Sequence, residues 1–233
     1  MSNYLLLFDI DGTLLSTGGC GKVAIDRAFE KMFGVSNAWG NTFPDGKTDL
    51  LIFNEIAVRC IGRKLKSEEW VKLQERYALY FAEEAEHSTK FRTTPGSFKL
   101  LEYLSDIPNL HLAVATGNIE KVSWIKLRKV RLHNYFRCGG FGSDHTNRIG
   151  ILEDALHASH NHFGKKFSKD KTFVIGDTKH DVVAAHALKL KSVGVDTGST
   201  SGRDFLKIRP HHRFSDFLDL DEFVRLFKIQ PHF

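Results

Sequence analysis

The chain opens on an apolar run that leads directly into a turn rich in carboxylates. Residues 4–8 read YLLLF, and residues 9–13 read DIDGT. The run lacks polar alternation, so it predicts a strand that is buried on both faces of a sheet. Asp9 stands where this strand ends, and Asp11 leans to the same side of an extended segment. Two carboxylates in that position repel each other unless a cation or a shared proton relieves them, although Asp and Gly are also ordinary turn residues.

The rest of the chain divides into a helical part and a part in which strands and helices alternate. Residues of roughly 16 to 90 read as three helices, at about 22–33, 48–63 and 67–87. Beyond them we predict strands at about 110–115, 172–175 and 192–195, an extended piece near 136–141, and helices at about 96–105, 119–130, 149–163, 180–188 and 220–227. This alternation is typical of a doubly wound, mostly parallel, Rossmann-like α/β sheet. We therefore expect an α/β core of residues 1–15 and 91–233, with an all-α insertion of residues 16–90 after the first strand.

Three of the predicted strands end in polar residues and glycine. Because the carboxyl ends of parallel strands meet at one edge, where open α/β sheets bind ligands, four carboxylates are expected to converge there: Asp9, Asp11, Asp177 and Asp181. At the same edge Thr116 offers a hydroxyl group, and the amides of Gly117 and Asn118 open a helix, which is a ready anion site. Oxygen-only ligation suits magnesium better than zinc. We expect a Mg²⁺ ion that bridges to a substrate phosphate.

These groups can support phosphoryl transfer. A carboxylate can act as a nucleophile toward phosphorus and form an acyl-phosphate. A second carboxylate two residues away could protonate the leaving alcohol and later activate water. Beyond this positioning, the reaction needs positive charge on the transferring oxygens.

Composition argues against several other classes of protein. No apolar run approaches the roughly 20 residues that span a bilayer, and no basic stretch precedes the first apolar run as in a signal peptide. The three cysteines are far apart, at positions 20, 60 and 138, which fits free thiols in a reducing compartment. The net charge of +5 is mild and its lysines are scattered, so no nucleic-acid partner is indicated. We expect a cytoplasmic protein whose partner is a small phosphorylated metabolite, with no membrane partner. The sequence does not indicate an oligomeric state.

The motifs described above resemble those of the haloacid dehalogenase-like hydrolase superfamily, in the same order. Residues 8–13 (FDIDGT) resemble the first motif, residues 114–118 (VATGN) the second, and residues 174–181 (VIGDTKHD) the fourth. The helical insertion resembles that superfamily's helical cap. Residues 17–22 (TGGCGK) and 46–49 (GKTD) are similar to the phosphoglycolate-phosphatase-like branch.

This resemblance implies a role for each acidic residue. Asp9 would be the nucleophile and Asp11 the general acid and base. Magnesium would be held by Asp9, the Asp11 carbonyl and Asp177, with Asp181 in the outer shell. Because Asp11 is present, the resemblance favours phosphatases and phosphomutases over dehalogenases. It implies a phosphoric monoester hydrolase, with a phosphomutase or a non-catalytic binding module of the same fold as alternatives.

The third motif departs from the usual pattern, in which a lysine neutralises the nucleophile and the phosphate. By spacing, Arg148 stands at that place, and arginine can grip phosphate oxygens with two donors. Lys126 is the second candidate, because its backbone lies about 12 Å from the start of its helix. For both side chains the competing interpretation is an exposed surface charge. Lys47, in the helical insertion, is a candidate substrate-binding residue, or else a loop lysine in water.

Overall fold

The computed structural model describes residues 3–198 and 202–227. Its strands are, in chain order, β1 (Tyr4–Phe8), β2 (Leu15–Ser16), β3 (Arg92–Thr93), β4 (Leu110–Thr116), β5 (Gly139–Phe141), β6 (Thr172–Gly176), β7 (Lys191–Val195) and β8 (His212–Phe214). Six of them form one sheet in the order β5-β4-β1-β6-β7-β8. All neighbouring pairs in that sheet are parallel. The predicted α/β, Rossmann-like class is confirmed.

The first strand lies inside this sheet, between β4 and β6. Its side chains alternate between two separate cores, with Leu6 and Phe8 in one and Leu5 and Leu7 in the other. All four are fully buried, and burial of such a side chain stabilises the fold by roughly 1.5–3 kcal/mol. Phe8 lies beside Val114 of β4 and Ile175 of β6, so the residues that follow the three strands meet at one edge.

Helices cover both faces of the sheet. In chain order they are α1 (Cys20–Phe33), α2 (Asp49–Ile61), α3 (Ser67–His87), α4 (Ser97–Ser105), α5 (Glu120–Lys129), α6 (Arg148–Phe163), α7 (Lys179–Ala187), α8 (Gly202–Ile208) and α9 (Leu220–Val224). Apolar residues of α4, α5 and α9 belong to the core that contains Phe8. Those of α6 and α7 belong to the core that contains Leu7. This two-sided arrangement is the doubly wound pattern that strand–helix alternation predicts.

The helices α1, α2 and α3 build a third core that is rich in aromatic side chains. Its buried rings are Phe29, Phe53, Trp70, Tyr77 and Phe81. The Phe53 ring contacts those of Phe29, Trp70 and Tyr77 in tilted or edge-to-face geometry, and Tyr77 contacts Phe81 edge to face. Val122 of α5 and its N-cap residue Ile119 also belong to this core, so the helical segment rests on α5. The chain passes between sheet and helical segment through the antiparallel pair β2–β3. The division at residues 15/16 and 90/91 stays a prediction.

Four short elements, β2, β3, α8 and β8, have no counterpart among the predicted strands and helices. They carry too few residues to display an apolar period, and His212 and Arg213 of β8 are exposed. The predicted last helix at 220–227 ends at Val224 and continues as a 3-10 turn over Arg225–Phe227. Within residues 3–198 and 202–227, no helix combines the length and the apolar character that crossing a membrane would require.

Candidate active site

A cavity of about 330 Å³ lies between the carboxyl ends of β1, β4 and β6 and the helices α1–α3. Its lining includes Asp9, Thr116 and Asp177 on the sheet side and Ile25, Trp39 and Tyr77 on the helical side. Of the ten site residues predicted from the sequence, nine line this cavity. The tenth, Asp181, lies against Arg148. The structure brings all ten together, and their roles stay predictions.

Three of the four predicted acidic residues form a compact buried cluster. Asp9, Asp177 and Asp181 each offer an oxygen, and these oxygens lie within 4.8 Å of one another. The Thr13 hydroxyl donates a hydrogen bond of 3.0 Å to Asp177 Oδ1. Gly12 has a φ of +76°, and a Cβ there would lie 2.5 Å from Asp177 Oδ2. The turn after β1 therefore requires glycine both for its left-handed backbone and for the close approach of this carboxylate.

Among the residues that the structure describes, Arg148 is the cation that faces this cluster. The Asn147 side chain accepts a hydrogen bond from the Gly150 amide and caps α6, so the helix begins at Arg148, one residue earlier than predicted. Its Nη1 lies 3.1 Å from Asp9 Oδ1 and 3.3 Å from the Ala115 carbonyl oxygen. Its Nη2 lies 3.4 Å from Asp181 Oδ1. The interpretation of Arg148 as an exposed surface charge is wrong, because the residue is buried.

Burial and charge set the ionisation of this pair. Burial raises the pKa of Asp9 to about 6, although the nearby Arg148 guanidinium acts to lower it. Burial alone would lower the pKa of Arg148, but the carboxylates of Asp181 and Asp9 outweigh it and raise that pKa. One guanidinium among three buried carboxylates leaves the cluster with excess negative charge when all are ionised. The oxygen-only donor set and this charge both fit a hard divalent cation such as Mg²⁺.

Asp181 also caps the helix that follows β6. Its Oδ2 accepts hydrogen bonds from the Thr178 amide at 3.1 Å and from the Thr178 hydroxyl at 2.6 Å. Its Oδ1 faces Arg148. Because both oxygens already have protein contacts, the Asp181 carboxylate is suited to holding Arg148 in place rather than to binding a ligand directly.

Lys126 also lies in the site, where it contacts Asp11, whereas Arg148 contacts Asp9. Its Nζ lies 2.6 Å from Asp11 Oδ2 and 2.5 Å from Asn118 Oδ1. The residue is only 4% exposed, so its interpretation as an exposed surface charge is wrong. The lower ranking of Lys126 as a candidate was based on the distance of its backbone from the start of the helix. Helical side chains lean toward the helix N-terminus, and this direction carries Lys126 back to the strand ends.

The threonine and the asparagine of the second motif hydrogen-bond to each other. Thr116 is fully buried, and its hydroxyl oxygen accepts from Asn118 Nδ2 at 2.8 Å. Asn118 Nδ2 also lies 2.6 Å from Asp11 Oδ2. The Asn118 side chain therefore orients Asp11. The backbone amides of residues 117 and 118 precede α5, which begins at Glu120 after the N-cap residue Ile119. The prediction that they open this helix is therefore wrong, and their role as an anion site stays a prediction.

The helical segment reaches this loop through residues 47–49. The Asp49 amide donates to the Gly117 carbonyl at 2.7 Å, and Asp49 Oδ2 accepts from the Ile119 amide at 2.8 Å. A Cβ on Gly117 would lie 2.5 Å from the Lys47 carbonyl oxygen, so this close approach depends on glycine. The Lys47 ammonium lies 2.6 Å from Glu55 Oε2, at the cavity edge.

Sequence reasoning missed the role of Asp49 in this contact. The residue stands in the GKTD run and begins α2 after the capping residue Thr48, so the sequence signals a helix start. Burial raises the pKa of Asp49 to about 6, with opposing effects from Lys126 and from the Ile119 amide. No local pattern could show that this carboxylate contacts a loop some 70 residues away.

Comparison with known sequences gives a family match and a relative. A family model described as haloacid dehalogenase-like hydrolase matches residues 6–195. A phosphoglycolate phosphatase of Mannheimia succiniciproducens is 25% identical over 225 residues, which is 94% of this chain and 97% of that protein.

Solved structures share the fold at lower identity. A hydrolase from Pseudomonas syringae matches with a TM-score of 0.69 and 21% identity, over 98% of this chain and 100% of that one. A protein named as a candidate beta-phosphoglucomutase from Bacteroides vulgatus matches with a TM-score of 0.66 and 18% identity, over 97% of this chain and 89% of that one. At these identities the matches establish the architecture.

Proposed function

Because the chain belongs to the haloacid dehalogenase-like hydrolase family, we propose that it is a magnesium-dependent phosphatase. It hydrolyses a small phosphorylated metabolite through an aspartyl-phosphate intermediate on Asp9. The observation that carries this proposal is the buried pair of Asp9 and Arg148 at 3.1 Å. It combines a nucleophilic carboxylate with a cation that can offset the charge of an incoming phosphate.

A further property of Arg148 supports a phosphate ligand. Its Nε is buried and has no hydrogen-bond partner among the residues that the structure describes. A buried donor without a partner carries a free-energy cost of about 1–3 kcal/mol. A phosphate oxygen between Arg148 and the amides of residues 117 and 118 would remove that cost.

In the proposed mechanism, a carboxylate oxygen of Asp9 attacks phosphorus while the bond from phosphorus to the leaving oxygen breaks. That oxygen takes a proton from Asp11. Water then gives a proton to Asp11 and attacks the aspartyl-phosphate, which releases phosphate and restores Asp9. Asp9, the Asp11 carbonyl and Asp177 would hold Mg²⁺, with Asp181 behind them. The ion supplies positive charge to the phosphate oxygens.

The class of substrate follows from the size of the cavity and from the relative. A cavity of about 330 Å³ lies at the lower end of the roughly 300–1,000 Å³ of small-molecule sites. Lys47, at its edge, could meet a substrate anion if it leaves Glu55. The similarity to a phosphoglycolate phosphatase agrees with a small anionic phosphate ester.

The test is phosphate release from a panel of phosphorylated metabolites, with magnesium and with a chelator. We expect magnesium-dependent release by the unaltered protein and none by Asp9→Asn, which nearly keeps the shape of the side chain but cannot form the acyl-phosphate. Isomerisation of sugar phosphates far in excess of phosphate release would instead identify a phosphomutase. Binding without either reaction would identify a non-catalytic module, and turnover by Asp9→Asn near the normal rate would refute the nucleophile.

A further inference from the structure

The candidate site holds two buried cations, and they serve different carboxylates. Arg148 contacts Asp9, whereas the ammonium of Lys126 lies 2.6 Å from Asp11. The Lys126 ammonium also lies 5.4 Å from the centre of the Phe81 ring on α3. Lys126 therefore stands between the helical segment and the turn that carries Asp11.

We propose that Lys126 is a positioning residue for Asp11, an inference that rests on the proposed phosphatase function. Lys126 Nζ and Asn118 Nδ2 both lie 2.6 Å from the same oxygen, Asp11 Oδ2. Oδ1 is the oxygen of Asp11 that carries neither of these bonds. The two donors fix the carboxyl plane and leave Oδ1 for the proton transfers.

Lys126 also fixes the second of these donors. Its ammonium donates to Asn118 Oδ1 at 2.5 Å, so the amide group of Asn118 must turn its Nδ2 toward Asp11. Nδ2 also donates to the Thr116 hydroxyl oxygen. A neutral side chain at position 126 would remove one donor from Asp11 and release the orientation of the other.

The proton transfers assigned to Asp11 define what this positioning would achieve. As the bond between phosphorus and the leaving oxygen breaks, its electron pair stays on that oxygen, which takes the proton from Asp11 Oδ1. In the second step the attacking water gives its proton to the same carboxylate oxygen. An alkyl leaving group depends strongly on the first proton, whereas p-nitrophenolate leaves as a stable anion.

This difference between leaving groups gives the test. The ratio kcat/KM reports steps up to formation of the aspartyl-phosphate, so we compare an alkyl phosphate ester with p-nitrophenyl phosphate. General acid catalysis contributes about 10²–10⁴-fold, so Lys126→Met should lower kcat/KM for the alkyl ester by about tenfold or more. We expect less than about a threefold loss for p-nitrophenyl phosphate, since it needs little proton transfer. Inhibition by inorganic phosphate should stay unchanged.

Two further variants separate positioning from general damage. Lys121→Met is the matched control, because Lys121 lies on the same helix and forms an exposed ion pair with Glu75 of α3. It should leave both substrates unaffected. Lys126→Arg keeps a donor at the site and should recover part of the activity toward the alkyl ester.

A double-mutant cycle tests the contact itself. On the alkyl ester, Lys126→Met should cost little once Asp11→Asn has removed the transferable proton. The melting temperatures of the same four proteins should also be non-additive, and this measurement needs no turnover. It stays informative if the unaltered protein hydrolyses no ester, a result that would refute the proposed function instead.

Three results would overturn the inference. Equal losses on both substrates, with weaker inhibition by phosphate, would make Lys126 a phosphate ligand. Unchanged kinetics on both substrates would leave it without a role in the reaction. Additive melting temperatures in the cycle would show that Lys126 and Asp11 do not interact.

Discussion

Replacing Asp49 with asparagine is expected to stabilise the protein far more near pH 8 than near pH 4. The Asp49 carboxylate is buried where α2 begins, and it accepts a hydrogen bond from the Ile119 amide. Burial raises its pKa from 3.8 to about 6, and the charge of Asp11 adds to the increase. Lys126 and the Ile119 amide act in the opposite direction. Asp49 in turn contributes to the raised pKa of Tyr77, which faces it from α3.

The sign of the effect follows from proton linkage. Below the ordinary value of 3.8, Asp49 is neutral in both the folded and the unfolded chain. As pH rises toward about 6, the unfolded chain loses its proton first, so the folded state becomes less stable. Above the folded-state pKa this loss is complete.

The magnitude follows from the difference between the two pKa values. Each pH unit corresponds to about 1.36 kcal/mol, so the range from 3.8 to about 6 gives a cost of about 3 kcal/mol. Asparagine at position 49 has no ionisable proton and escapes this cost. Any change in hydrogen bonding that the substitution causes is independent of pH and does not enter the slope.

The assay is urea unfolding of the unaltered protein and Asp49→Asn at several pH values between about 4 and 8. The difference in free energy of unfolding should move by about 2.5 kcal/mol over this pH range in favour of Asp49→Asn, because the carboxyl of the unfolded chain is already partly ionised at about pH 4. Most of the movement should occur between 3.8 and about 6. Asp144→Asn, at an exposed position, controls for the loss of one carboxylate. A difference that is flat with pH, or that slopes the other way, would refute the reasoning.

Two further predictions concern the charges of the candidate site. Arg148→Ala should lower kcat/KM by about a hundredfold or more on alkyl and aryl phosphates alike, by analogy with the loss of a single donor to transition-state charge. Arg148→Lys should recover much of this loss if charge matters more than two-point contact. Steady-state kinetics, with folding checked by circular dichroism, measures both, and near-normal turnover of Arg148→Ala would contradict its role. Asp177→Ala should weaken Mg²⁺ binding in calorimetry, and excess chelator should abolish turnover by the unaltered protein. Full activity in chelator, with no retained metal, would exclude a metal-dependent reaction.

The sequence predicted strands and helices best where they are long enough for burial to impose a regular spacing of apolar residues. The strand Tyr4–Phe8, predicted from its apolar run, and the long helix Ser67–His87 have the predicted bounds. The convergence of the strand ends followed from sheet geometry alone, and spacing led to Arg148. The strands β2 and β3 could not be predicted in this way, because a strand of two residues is too short to show an alternation of apolar and polar side chains.

Contacts between distant parts of the chain could not be derived in this way. Lys126 is buried because α5 lies against the helical segment as well as the sheet, and its neighbours Asp11 and Asn118 come from other loops. Asp49 contacts the Ile119 amide for the same reason. Both positions depend on how the helical segment rests on the strand ends, and no periodicity within either segment records that arrangement.

The hydrogen bond between the Asp49 amide and the Gly117 carbonyl has a thermodynamic consequence. The peptide unit that offers the Gly117 carbonyl oxygen to α2 also carries the Asn118 N–H, one of the two amides proposed to receive phosphate. A ligand that immobilises this loop also restrains the helical segment, and whatever restrains the helical segment strengthens the ligand's hold by the same factor. Affinity for phosphate and order in the helical segment are therefore linked by one coupling free energy. Substitutions far from the carboxylates can change both.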